Sequence, residues 1–149
     1  MNPYSRPVQQ AIRALTTLAA EEKGSVVMAG KLAGRESVSA PALSKTLQQL
    51  ARKGLLQSVQ GRGGGFVLAR SPRDITVAEI VDAMEGAAGA SRCSLGYANC
   101  RPRNLCYMDK LLAAARSAFR AQLERTTLYS LVRTREAIRK RKRKSRKQD

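Results

Sequence analysis

Within residues 7–20 the apolar side chains Val8, Ala11, Ile12, Leu15, Leu18 and Ala19 recur at intervals of three and four, the spacing of one helical face. Pro7 suits the first turn of that helix and Gly24 its stop. A shorter apolar run over residues 28–33 closes at Gly34 and predicts a stubby second helix. Ser39 can cap a third, in which Leu43, Leu47 and Leu50 share a face and Gly54 takes the left-handed stop position. Beyond Gly54 the apolar period changes to two. Residues 55–59 and 66–69 are strand candidates, and between them lies GRGGG, a turn with almost no side chains to obstruct it.

Three helices, a tight turn before the third and a glycine-tipped hairpin are the order of a winged helix-turn-helix. Thr76 and Glu79 form a capping-box pair, predicting a fourth helix through Val77, Ile80, Val81 and Met84 to Gly86. Residues 107–125 predict a long amphipathic helix with Met108, Leu111, Leu112, Ala115, Phe119 and Leu123 on one side, about 28 Å long. So small a head cannot cover that length, so the stripe is expected to pack against a second subunit; burial on its own domain is the alternative. Thr127 can cap a last short helix, LYSLV. The predicted class is therefore mainly α: a winged helix-turn-helix with a β-hairpin wing (residues 1–85), a cysteine loop (86–106), a dimerisation helix with a short last helix (107–132) and a disordered basic tail (133–149).

Charge separates these regions. Residues 1–73 carry 11 Lys/Arg against 3 acids, 74–132 carry 7 against 6, and 133–149 carry 10 against 2, within a total formal charge of +17. Two basic ends around a nearly neutral middle point to a polyanionic partner, nucleic acid first and a ribosomal or membrane surface behind it. With no long apolar run and no signal-peptide layout at the start, a cytoplasmic protein that does not enter the membrane is expected. The absence of histidine and of paired carboxylates in one motif argues against acid-base catalysis and thus against an enzyme.

If the third helix reads a major groove, Leu43 and Leu47 turn to the core and leave Ser39, Ala42, Ser44, Lys45 and Gln48 for contact. Ser44 and Gln48 can hydrogen-bond base edges, and Lys45 can reach a phosphate or a guanine; simple solvation is the competing reading. At the hairpin tip, Gln60 and Arg62 flank and interrupt glycines, with Gly63 and Gly64 following. An arginine on so slim a loop suits insertion into a minor groove, where a plain turn would leave the arginine unexplained.

All three cysteines fall between residues 93 and 106, spaced C-x6-C-x5-C, an odd number that cannot fully pair within one chain. In a reducing compartment such clustered thiols read as ligands or redox sensors. Zinc ordinarily wants four nitrogen or sulfur ligands, and this chain has three thiols and no imidazole. A reversible disulfide switch and a metal-free protein with incidental cysteines remain further readings.

The segment VSAPALSKTLQQLARKGLLQSVQGRGGGFVLAR, then ITVAEIVDAMEG, the cysteine trio and TTLYSLV, resembles the Rrf family of bacterial winged helix-turn-helix transcriptional regulators. The likeness spans about residues 5–132. It implies a homodimer that binds double-stranded operator DNA and holds an iron-sulfur cluster, 2Fe-2S or 4Fe-4S, beside the dimerisation helix, with Cys93, Cys100 and Cys106 as ligands. Redox state, nitric oxide or iron supply would be sensed there. Three positions depart from the family pattern: Gln60 replaces a frequent arginine, Arg62 a frequent proline, and Val8 a carboxylate that some members lend to the partner's cluster. Asp109 stands where other members carry a histidine three residues after the last cysteine. Were the helix to start near residue 104 or 105, Asp109 would share a face with Cys106 and be the candidate fourth ligand, or else simply an acid favoured at a helix N-terminus. Arg92, Arg101 and Arg103 would offset the negative charge of a thiolate-bound cluster.

Overall fold

The computed structural model describes residues 4–86 and 106–145. Helix α1 (Arg6–Ala19), α2 (Ala29–Glu36) and α3 (Ala40–Arg52) are followed by an antiparallel hairpin, β1 (Leu56–Val59) and β2 (Gly65–Leu68), then α4 (Val77–Glu85), α5 (Tyr107–Arg125) and α6 (Leu128–Ser145). The hairpin register pairs Leu56 with Leu68 and Val59 with Gly65. It is pinned to the α1–α2 connection by a bridge between Val27 and Phe66, whose N–H groups donate to each other's carbonyls at 3.0 Å.

One core joins the three N-terminal helices to the wing. Leu15, Leu32, Leu43, Leu47, Leu50, Leu55 and Ile80 are fully or almost fully buried there, together with Leu128 from the start of α6. The apolar faces anticipated for α1 and α3 are turned inward, because burying these side chains is the main favourable term available to so small a head.

Helix α1 ends at Ala19 with Ala20 as its cap, short of the Gly24 stop expected, and two further boundaries differ from those expected. Helix α2 continues past Gly34 to Glu36 and ends at Ser37, the one non-glycine residue with positive φ (55°) among those described. The extra turn delivers Glu36 to the interior, where Arg13 and Thr17 of α1 donate to its carboxylate. Residues 133–145 are helical rather than a disordered tail, and the last helix is not limited to LYSLV. Arg, Lys, Glu and Ala all favour helix, the stretch has no glycine or proline, and Thr127 and Ser130 cap its start reciprocally (Thr127 N–H to Ser130 Oγ 3.0 Å, Ser130 N–H to Thr127 Oγ1 3.3 Å). Charge repulsion, screened over roughly 8 Å at physiological salt, does not overcome that preference.

The capping box at α4 is formed as expected: Thr76 N–H donates to Glu79 Oε2 (2.8 Å) and Glu79 N–H to Thr76 Oγ1 (3.2 Å). Arg70 adds an ion pair to Glu79 at 2.7 Å. Burial raises the Glu79 pKa, but the hydrogen bonds from the Thr76 backbone, Arg70 and the Thr76 hydroxyl outweigh it and leave it lowered. Its stabilisation is therefore complete above the unfolded value of about 4.3 and lost as pH falls through the folded value. Glu79→Gln keeps the cap but not the ion pair. Its melting temperature is expected to lie below that of the parent at pH 6, with the gap closing as pH falls below the unfolded value of about 4.3 and through the lower folded value; a gap independent of pH would refute the assignment.

Candidate nucleic-acid interface and cysteine segment

Helix α3 presents one face to the core and the opposite face to solvent. Leu43, Thr46, Leu47 and Leu50 are buried, while Pro41, Lys45, Gln48 and Arg52, at helical spacings of four, three and four, are exposed. Of the residues expected to contact nucleic acid, Ser39, Ala42, Lys45 and Gln48 are exposed and Ser44 is half-buried at the edge of the stripe. Ser39 is the N-cap by position, without a side-chain capping bond. Arg52 was missed by pattern reading, although its place eleven residues after Pro41 puts it on the same face. The helix lies three residues beyond Glu36, so the α2–α3 turn is only Ser37, Val38 and Ser39. That is the tight connection a groove-reading helix pair requires.

The wing tip is a turn from Gly61 to Gly64, closed by the Gly64 N–H donating to the Gly61 carbonyl at 3.0 Å. Gly61 and Gly63 take positive φ, 92° and 80°, which lets Arg62 stand out between them. Arg62, Gly63 and Gln60 are exposed, and Gln60 Nε2 reaches back to Ser58 Oγ at 3.3 Å. The α3 stripe and the wing tip thus supply separate exposed basic elements, one helical and one a loop.

Gln49, half-buried on α3, donates to the carbonyls of Ala83 (2.9 Å) and Met84 (3.2 Å) at the end of α4. Helix α4 is in turn clamped to α5 by a fork: Arg120 meets both carboxylate oxygens of Asp82 at 2.6 and 2.8 Å and Glu124 at 2.8 Å. These carboxylates raise the Arg120 pKa further. Gln49 thus holds the end of α4 against α3, and the fork ties α4 to the C-terminal part of α5. Gln49 was not singled out in the sequence, since a half-polar helix position carries no periodic signal.

Cys93, Cys100, Arg92, Arg101 and Arg103 lie outside the described residues. Cys106 is half-buried and not in a disulfide, and it is the N-cap of α5, with its carbonyl accepting the Lys110 N–H at 3.1 Å. The helix begins at Tyr107, not near residue 104 or 105, because Cys106 has extended backbone (ψ 111°). Asp109 is thus the third helical residue. Among the described residues no group of three or more His, Cys, Asp or Glu side chains converges to hold a metal ion. The C-terminal part of α5 meets the head, with Leu123 buried and the Phe119 ring against Tyr4 (centroids 5.8 Å apart), whereas Leu111 nearer its start is 59% exposed.

A protein-family model described as "Rrf2: Iron-dependent Transcriptional regulator" matches residues 4–134. The transcriptional regulator NsrR of Bacillus subtilis is 32% identical over 131 residues, covering 87% of this chain and 90% of the relative. Escherichia coli IscR is 27% identical over 128 residues, covering 86% and 78%. Among solved structures, T. potens IscR superposes with a TM-score of 0.74 at 24% identity, covering 92% of this chain and 90% of that one. The global cysteine regulator CymR of B. subtilis superposes at 0.73 and 24% identity, covering 90% and 98%. No described helix is long and apolar enough to cross a membrane.

Proposed function

The chain belongs to the Rrf2 family of transcriptional regulators and is not an enzyme, and from that premise we propose that it is a cytoplasmic homodimer whose operator affinity is set by an iron-sulfur cluster on Cys93, Cys100 and Cys106. The observation that carries the cluster assignment is the donor set: three thiols within residues 93–106, in a relative of proteins named NsrR and IscR. Cluster ligands are mainly thiolates, and Cys106 sits at a helix N-terminus, which favours anionic groups. Asp109 is the proposed fourth ligand. When bound, the group supplies a redox- and nitric-oxide-sensitive centre.

The residues of the chain transmit its state. Tying Cys106 to Cys93 and Cys100 fixes the start of α5 relative to the end of α4. Gln49 links that end of α4 directly to α3, and the Arg120 fork keeps α4 and α5 from sliding. The 59% exposure of Leu111, on the stripe that extends beyond the head, supports pairing of α5 with a second copy. Two recognition helices would then be held at a spacing that suits adjacent half-sites, contacting DNA through Ser39, Ala42, Ser44, Lys45 and Gln48, with the wing adding Gln60, Arg62, Gly63 and Gly64.

Anaerobically purified protein is expected to contain iron and to absorb in the visible range. Its affinity for an operator selected from random duplex should change about tenfold when the cluster is removed, a coupling of about 1.4 kcal/mol. A variant with all three cysteines changed to alanine should lose that response. A colourless, iron-free anaerobic product, or an unaltered response in the triple variant, would overturn the assignment. A response to oxidant that thiols reverse without iron would replace it with a disulfide switch.

A further inference from the structure

We propose that the distal half of α6 is a second DNA-contacting arm that grips backbone phosphates flanking the operator, an inference that rests on the operator-binding reading above. Helix α6 begins inside the head, with Leu128 and Val132 buried. One turn later the Arg135 guanidinium donates to the Thr17 hydroxyl and lies 3.5 Å from Glu36. Glu36 is the last residue of α2 and stands three residues before Ser39, the N-cap of the recognition helix. The final anchored turn of α6 is therefore fastened beside the turn of the helix-turn-helix. Arg139, one turn further on, lines the same cleft as Arg35 of α2, about 510 Å³ in volume.

Beyond Arg135 none of the described side chains of the helix is buried. Ile138 is 50% exposed, and Arg139, Lys140, Arg141 and Arg143 all face solvent. Residues 138–144 contain six consecutive Lys/Arg and no acid. Like charges at i,i+4 destabilise an isolated helix, so a surface of this kind is complementary to a polyanion rather than to another part of the chain. Residues 136–145 rise about 15 Å, the length of roughly four base pairs, and a two-fold dimer would place one arm at each end of the site. The geometry is that of a positioning contact blind to sequence, adjacent to a helix that reads sequence.

The test compares the full chain with R139Q/K140Q/R141Q/R143Q, in which glutamine keeps helix propensity, and with a chain ending at Ala137, which retains Arg135. The probes are an operator duplex selected by the full chain, the same duplex lengthened by ten base pairs at each end, and a scrambled duplex. The full chain is expected to bind the long duplex more tightly than the short one. In both variants that advantage should vanish, affinity for the long duplex should fall at least tenfold near 0.15 M salt, and the slope of log K against log salt should flatten by roughly 0.9 for each phosphate that the arm no longer neutralises. Preference for operator over scrambled sequence should persist. Equal affinities and slopes for all three proteins would overturn the arm. A variant that loses sequence preference would do the same, because phosphate contacts cannot discriminate bases. If the full chain prefers no duplex, the operator reading fails, while the salt slopes on scrambled duplex still decide whether the arm binds phosphates.

Discussion

Gly65→Ala is expected to pull the wing off the head, lowering stability by about 3 kcal/mol and abolishing tight operator binding. A Cβ at Gly65 would lie 2.4 Å from the Val27 carbonyl oxygen, 2.6 Å from its carbon and 2.9 Å from the Met28 nitrogen. All three are backbone atoms, so no side chain can rotate away. The clash can be relieved only by separating β2 from the α1–α2 connection. That breaks the two hydrogen bonds between Val27 and Phe66 and lets water reach both side chains, now 4% and 7% exposed. Net losses of about 1 kcal/mol per hydrogen bond, with partial exposure of two apolar groups, account for the loss of about 3 kcal/mol. Gly34→Ala is the control: nothing lies within 4 Å of its added Cβ and it sits inside α2, so that variant should be more stable by about 0.5–1 kcal/mol. Urea unfolding of both proteins decides. Equal midpoints for Gly65→Ala and the parent would show that the wing is not held by this contact.

Glu36→Ala is expected to cost about 2 kcal/mol and to loosen α6 from the helix-turn-helix. The Glu36 carboxylate is 4% exposed and collects Arg13 Nε at 2.9 Å, the Thr17 hydroxyl and Arg135 at 3.5 Å, drawing α1, α2 and α6 to one point. Removing a buried charge from its partners ordinarily costs more, about 3–5 kcal/mol. Here the two guanidinium groups are 57% and 45% exposed and can turn to water, which returns part of the loss. The Thr17 hydroxyl and the Glu36 carbonyl, which Arg13 Nη2 holds at 2.8 Å, cannot escape so easily. A double-mutant cycle with Arg135→Met isolates the link to α6. Non-additive losses in thermal unfolding are the expected result, and strictly additive ones would mean that Arg135 and Glu36 do not communicate.

Much of the head was legible because its periods are strong and its punctuation local. The Leu43/Leu47/Leu50 face, the Thr76–Glu79 box and the Tyr107–Arg125 helix all follow from side chains within a turn or two of each other, where propensity and capping decide. The misses have a common cause. Helix α2 outlasts Gly34 because Glu36 finds Arg13 twenty-three residues away, and 133–145 is helical with its base fastened by Arg135 to Thr17, one hundred and eighteen residues away. Gln49, which joins the recognition helix to α4 across thirty-four residues, has no local mark at all.

The sequence by itself determined the class of fold, the order of its elements, the two basic ends and the clustering of thiols, since these depend on composition and on near neighbours along the chain. Only the tertiary structure decided that α4 is bonded to the recognition helix at the edge of the cysteine segment, and that the basic helix springs from beside the α2–α3 turn. Those facts depend on which distant polar groups meet once the core has closed. A buried donor or acceptor must find its partner wherever the packing of apolar faces has placed one.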